Sequence, residues 1–221
     1  MKHPELIVML THNDVTVKDA QKIFDECKDT KAKFWGFKEV GLPLDQMKKL
    51  YADMKKAGKT TFLEVVAYTE PECMEGAKMA VACGVDILMG TLFFDSINDY
   101  AKEHHLKYMP FVGKITGRPS VLEGSIQGMI DEANSYIEKG AYGIDLLGYR
   151  YTGDPVELNK KFVAGVHAPV CLAGSVNNYK RLDEVKDAAS WSFTIGGAFF
   201  ENKFDGTFAE QINKVVDYME K

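Results

Sequence analysis

The sequence predicts an α/β protein, a single (β/α)8 TIM barrel over residues 1–221, and three observations predict it. Eight short apolar runs recur along the chain with helix-period segments between them. The runs are mostly continuously apolar rather than alternating, as in strands buried on both faces. The count closes at eight, at roughly 28 residues per strand–helix unit, with no element left over. An open doubly wound sheet could be written with the same elements, but closure at eight favours the barrel.

The strands expected are LIVML (6–10), KFWGF (33–37), TFLEVVAY (61–68), DILMG (86–90), YMPFVG (108–113), GIDLLGY (143–149), VCLAG (170–174) and SFTIG (192–196). Between them, Val17, Ala20, Ile23, Phe24 and Cys27 follow the 3.6-residue period. So do Leu44, Met47, Leu50, Tyr51 and Met54, then Ile126, Met129, Ile130, Ala133 and Ile137, and finally Phe208, Ile212, Val215, Val216 and Met219. TEPE (69–72) and DPVE (154–157) read as helix starts, with a capping residue three before Glu and Pro in the first turn. Gly in KAGKTT, ACGVD and EKGAYG marks helix ends.

Composition narrows the classes of function. Of the 221 residues, 46% are hydrophobic, enough for one sizeable core. The formal net charge is −5 and there are no basic blocks, so neither nucleic acid nor a membrane surface is expected as partner. No apolar stretch is long enough to span a bilayer. MKHPELIVMLTHND carries only a short apolar run and no small-residue cleavage site, so it reads as a strand rather than a signal peptide. Cys27, Cys73, Cys83 and Cys171 are scattered without a Cys-x-x-Cys pair and suit free, core-packed thiols in a cytoplasmic protein. The reading allows a homo-oligomer.

In such a barrel the chemistry gathers at the C-terminal ends of the strands. Strands seven and eight end in Gly174–Ser175 and Gly196–Gly197. A phosphate needs several backbone N–H donors aimed at one spot. Glycine lets the backbone approach without a Cβ, and a following helix start adds a positive dipole end. Either glycine group alone could be a turn-maker. The pair, at this position, points to phosphate, with NNYKRLDEV supplying the helix start beyond Ser175.

LAGSVNNYKRLDEV followed by FTIGGAFFENKF resembles the closing strands of the ribulose-phosphate-binding barrels, in particular the isomerase and cyclase barrels of histidine biosynthesis. GAYGIDLLGYRYTGD is similar to their sixth-strand region. EVGLPL and KTTFLEVVAY…GVDILMG look like the hexulose-phosphate synthase and ketogulonate-phosphate decarboxylase branch. The resemblance implies a small phosphorylated substrate, a sugar phosphate or keto acid phosphate. It implies isomerase, epimerase or aldol-type lyase chemistry. The departures are specific: where the decarboxylase branch carries Asp-x-Lys-x-x-Asp in strand three, this chain reads EVVAYT, with Glu64 at the first acid and Val66 at the lysine position. Strand one leads into THND and strand five ends in Lys114, where the histidine-pathway barrels place aspartates. A non-catalytic barrel that binds a phosphorylated metabolite as a sensor is the competing reading.

The catalytic candidates are Lys114, Glu64, Asp145 and Lys38. Lys114 ends an apolar strand before the Gly/Pro/Ser loop GKITGRPS, which is long enough to act as a lid. A lysine at an apolar mouth can form a Schiff base or shuttle a proton, or it can simply pair with phosphate or lie solvated. Lys38 and Glu39 end strand two, and one of them faces inward. Glu64 and Asp145 sit inside apolar strands, where an ionised carboxylate is costly unless paired; each reads as a general base, a metal ligand or half of a Lys–carboxylate pair, and a Glu64–Lys38 or Glu64–Lys114 pairing would shift both groups. Substrate-binding candidates are Arg150, which could clamp a second anionic group or lie on a surface loop, His12, and Asn13, which with Asp14 either contacts substrate or caps the first helix beside Thr16. Adjacent His104 and His105 do not face one point. No metal-ligand set stands out, so no cofactor is required, although acidic strand ends at Glu39 and Glu64 leave an activating Mg2+ open. Trp35, Phe93 and Phe94 read as packing residues.

Overall fold

The computed structural model describes residues 3–221. Eight parallel strands form the central sheet: β1 Glu5–Met9, β2 Phe34–Lys38, β3 Thr60–Val65, β4 Ile87–Gly90, β5 Lys107–Met109, β6 Ile144–Leu146, β7 Val170–Leu172 and β8 Ser192–Ile195. Their order is β6-β7-β8-β1-β2-β3-β4-β5. The ring closes between β5 and β6, where Tyr142 N donates to Tyr108 O at 2.9 Å and Asp145 N to Pro110 O at 3.0 Å.

The helices are α1 Ala20–Cys27, α2 Leu44–Lys56, α3 Glu70–Cys83, α4 Asp95–Glu103, α5 Ile126–Glu138, α6 Pro155–Gly165, α7 Tyr179–Ala188, the single turn α8 Gly197–Phe200, and α9 Phe208–Glu220. Their buried stripes follow the sequence period: Met47, Leu50, Tyr51 and Met54 on α2, and Ile212, Val215, Val216 and Met219 on α9. Asp154 caps α6 by accepting from the N–H groups of Val156 and Glu157. At the start of α3, Thr69 instead binds the Glu72 carboxylate. Gly84 closes α3 in the left-handed conformation, where a Cβ is disfavoured. All four cysteines are buried and free. No helix among the described residues is long and apolar enough to cross a membrane.

Strand pleating divides the core in two. Leu6, Val8, Trp35, Phe37, Leu63 and Val65 face the helices, while Ile7, Met9, Phe62, Ile87, Met89, Met109 and Cys171 fill the lumen. Phe34, Tyr142 and Trp191 pack against this inner cluster from the N-terminal side. Gly36, level with Phe62, faces the same space: a Cβ there would stand 2.5 Å from Phe62 O. The lumen is therefore closed from below, and any site lies at the strands' C-terminal ends.

Strands β3, β5 and β6 end earlier than the apolar runs predicted. After β5 the chain continues to Gly113, whose φ of +75° turns it out of the barrel. Gly113 N is held there by Glu132 Oε2 at 2.7 Å. A two-stranded hairpin follows, Lys114–Thr116 against Val121–Glu123. A second small hairpin, Thr11–His12 against Val15–Thr16, stands directly after β1. Its turn residues Asn13 and Asp14 have φ of +49° and +66°, the paired left-handed geometry of a tight two-residue turn. Neither caps α1, whose N-cap position is Asp19.

Candidate active site

A cavity of about 640 Å³ opens at the C-terminal face of the barrel. The ends of β1, β2, β3, β7 and β8 line it, together with both hairpins and the turn after β6.

On the β2–β3 side, Lys38 and Glu64 stand level in register. Their charged atoms are 3.8 Å apart, and the side chains are only 11% and 12% exposed. Asp14, at the tip of the first hairpin, also binds the Lys38 ammonium. The hairpin and strand are locked together by Thr16, whose hydroxyl donates to Lys38 O at 2.8 Å and accepts from Lys38 N at 3.0 Å. Burial alone would push the Lys38 ammonium toward its neutral form. Glu64, with Asp14 and Glu39, outweighs that and holds the group above the ordinary lysine value. Lys38 is thus a fixed cation beside a carboxylate.

Asp145, on β6, is fully buried, with neither carboxyl oxygen hydrogen-bonded within the protein. Burial, and then Glu64, drives it well above the usual carboxylate range. Burial without hydrogen-bond partners disfavours its ionised form. Its strand neighbour Cys171 is pushed up by burial and by Asp145, an inert thiol rather than a nucleophile. Glu39 accepts from Val66 N at 3.3 Å and, chiefly through burial, also lies above its ordinary value. It does not line the cavity.

On the β7–β8 side, Gly174, Ser175, Val176 and Asn177 line the cavity opposite Gly196, Gly197 and Ala198. Among the described residues, the backbone N–H groups of all seven donate to no protein acceptor. The chain is forced into this shape: φ is +94° at Gly174 and +80° at Ser175. A Cβ on Gly174 would meet Arg150 Cγ at 2.8 Å, and one on Gly196 would meet Thr11 O at 2.8 Å. Gly197 alone has room, its nearest neighbours being His12 at 3.6 Å and Glu201 at 3.8 Å. His12 stacks on Phe200 and approaches Glu201 at 3.8 Å on the cavity rim.

The cavity therefore brings together Lys38, Glu64, His12, Asn13, Arg150 and all four expected loop residues, Gly174, Ser175, Gly196 and Gly197. Lys114 is not among them. Because Gly113 turns the chain outward, Lys114 is 72% exposed and pairs with Glu123 at 3.0 Å. The structure therefore places Lys114 off the cavity, and Lys38 is the lysine that lines it. Asp145 does not line the cavity. Among the described residues, no three His, Cys, Asp or Glu side chains converge as a metal site would require.

Arg118, Glu201 and Thr194 line the cavity without having been singled out in the sequence. Arg118 had a signal: it is the one arginine of the loop GKITGRPS, which reads as a lid. The loop leans over the cavity on three hydrogen bonds. Arg118 Nη2 donates to Val66 O at 2.6 Å, and the Tyr68 hydroxyl binds Ser120 Oγ at 2.8 Å and Gly117 O at 3.2 Å.

No protein-family model matches the chain, and no curated protein matches it in sequence. Solved structures do match over its length. Orotidine 5′-phosphate decarboxylase from Pyrococcus horikoshii OT3 superposes with a TM-score of 0.70 at 15% identity, covering 98% of this chain and 99% of that one. N-(5′-phosphoribosyl)anthranilate isomerase from Pyrococcus furiosus gives 0.69 at 12% identity, covering 99% of each chain. The glycerol uptake operon antiterminator regulatory protein from Listeria monocytogenes gives 0.60 at 16%, covering 89% of this chain and 94% of that one. These structures share the (β/α)8 barrel fold with this chain over nearly all of its length. The fold is shared by enzymes named for phosphorylated substrates and by a regulatory protein, so function is argued from the site.

Proposed function

We propose that this protein is an enzyme that isomerises or epimerises a small phosphorylated carbonyl compound by proton transfer. One observation carries the reading: a single cavity holds N–H groups without acceptors on its β7–β8 side and a Lys38–Glu64 pair on its β2–β3 side. The loops at Gly174–Asn177 and Gly196–Ala198 suit a phosphate, since unpartnered N–H groups recover hydrogen bonds there and the anion is held without a counter-ion. Arg150, packed over Gly174, adds charge on that side.

The substrate carbon chain then extends toward β2 and β3. Glu64 removes a proton from the carbon next to the carbonyl. Lys38 donates a hydrogen bond to the carbonyl oxygen and stabilises the negative charge that develops on it. For isomerisation Glu64 returns the proton on the same face to the neighbouring carbon while the hydroxyl proton passes between the two substrate oxygens at Lys38; for epimerisation the carbon is reprotonated from solvent on the opposite face and Glu64 gives its proton up to solvent. Schiff-base chemistry needs a neutral amine. Lys38 is held as the cation by Glu64 and Asp14, and Lys114 lies off the cavity. That favours proton transfer over aldol-type cleavage.

The test is solvent-deuterium exchange. The protein is incubated in D2O with a panel of phosphorylated aldoses and ketoses, and exchange at the carbon next to the carbonyl is followed by proton NMR. Exchange by the wild type and its loss in Glu64→Gln supports the reading. Phosphate-ester binding without exchange on any substrate would leave a metabolite-binding barrel instead.

A further inference from the structure

Glycine accounts for the left-handed backbone at Gly174, but the next residue is Ser175, with φ of +80°. A residue with a Cβ rarely holds that conformation unaided. The hold comes from α7. Arg181 Nη1 donates to Ser175 O at 2.8 Å.

Arg181 is itself fixed at both ends. Its guanidinium carbon stands 4.3 Å from the ring centroid of Tyr149. The Tyr149 hydroxyl donates to Arg181 O at 3.3 Å, and Arg181 N donates to Oδ1 of Asn178, the cap of α7, at 3.0 Å. Tyr149 belongs to the turn Gly148–Arg150 after β6, and its N–H donates to Ala173 O at 3.4 Å. Its neighbour Arg150 packs over Gly174. One stacked pair therefore joins the turn that carries Arg150 to the loop Gly174–Asn177.

Arg181 does not line the cavity, so any effect it has on a ligand passes through Ser175. The geometry of the peptide bond says what that effect is. The Ser175 carbonyl and the Val176 N–H share one trans peptide plane and point in opposite directions. Drawing the carbonyl toward α7 turns the Val176 N–H the other way, and Val176 lines the cavity.

Resting on the phosphate reading above, we propose that Arg181 is a positioning residue. It holds Ser175 in its left-handed conformation and so aims the Val176 N–H at the anion, without touching the anion itself. The stack on Tyr149 keeps that loop in register with Arg150.

A double-mutant cycle tests this. Calorimetric affinity for inorganic phosphate is measured for the wild type, Arg181→Met, Ser175→Gly and the double variant, with folding followed by circular dichroism. Arg181→Met is expected to weaken phosphate binding by roughly 10- to 100-fold, as loss of a charge-assisted hydrogen bond would. Glycine adopts the left-handed conformation without help, so the same substitution on the Ser175→Gly background should cost at least about fivefold less. A guanidinium that merely attracted the anion through space would give equal losses on both backgrounds. That result would overturn the proposal, as would an Arg181→Met variant with wild-type affinity, and either would leave the phosphate reading intact. A wild type that binds no phosphate would overturn the phosphate reading and this proposal with it. Should Arg181→Met fail to fold, Arg181→Gln, whose side chain is also shorter than arginine, takes its place in the cycle with the same expectations.

Discussion

Replacing Lys38 by Met tests the charge arrangement at the heart of the site. The Lys38–Glu64 separation of 3.8 Å corresponds to an attraction of about 4 kcal/mol at an effective dielectric near 20. Desolvation of both groups cancels part of this in the intact protein. Removing one partner still leaves Glu64 nearly buried and uncompensated, and breaking a buried pair in that way costs about 3–5 kcal/mol. Asp14 is 42% exposed and recovers water, so it adds little to the loss. For a domain of this size about 1 kcal/mol moves Tm by roughly 2–4 °C, so Lys38→Met should melt roughly 6–20 °C lower than the wild type. The double variant Lys38→Met/Glu64→Gln leaves no buried unpaired charge, Asp14 being solvated, and should recover most of the loss, while remaining inactive in deuterium exchange. The assay is thermal unfolding by circular dichroism at fixed salt. A Lys38→Met variant with the wild-type Tm, or a double variant no more stable than the single one, would refute the reasoning.

Gly197 is the cavity glycine where a side chain fits, so Gly197→Asp should fold, as circular dichroism will check, yet set a carboxylate against the bound anion. At about 4 Å the repulsion is roughly 4 kcal/mol at an effective dielectric near 20. Affinity for inorganic phosphate, read by calorimetry, should therefore fall by at least 100-fold. With its folded value raised, Asp145 holds its proton to higher pH in the folded protein than in the unfolded chain, which releases it above about pH 4. Its contribution to stability therefore declines as pH rises from there toward its raised folded value. Asp145→Asn removes that dependence, so the Tm of the variant relative to the wild type should rise between pH 5 and pH 8, and a constant difference would contradict a raised folded value. Lys114→Ala should leave exchange rate and phosphate affinity within about twofold, because exposed ion pairs contribute little.

The eight strands were readable as short, continuously apolar runs, and four of the helices between them by their 3.6-residue period. Lumen and helix-facing residues then follow from pleating. Helix boundaries with local chemistry, such as Asp154 and Gly84, were readable for the same reason. The hairpins were not. Thr11–Thr16 is held by two residues of left-handed turn, and Lys114–Glu123 begins where Gly113 leaves the barrel, a conformational choice that an apolar run ending in glycine does not distinguish from a strand end. That one ambiguity decides whether Lys114 or Lys38 is the lysine of the site. The Lys38–Glu64 pairing was foreseeable because two charges inside apolar strands need partners. The third member, Asp14, reaches Lys38 only through the hairpin. Arg118 becomes a cavity residue through a hydrogen bond to Val66, 52 positions away, which no local pattern encodes.

The central claim is that the N–H groups at the ends of β7 and β8 hold a phosphate. The most direct measurement is a titration of the 15N-labelled wild type with inorganic phosphate, followed in amide NMR spectra. The account predicts that the largest saturable shifts fall on Gly174, Ser175, Val176 and Asn177 and on Gly196, Gly197 and Ala198, with little change at the lumen residues below. Shifts confined to other surfaces, or none at phosphate concentrations that saturate comparable anion sites, would contradict it.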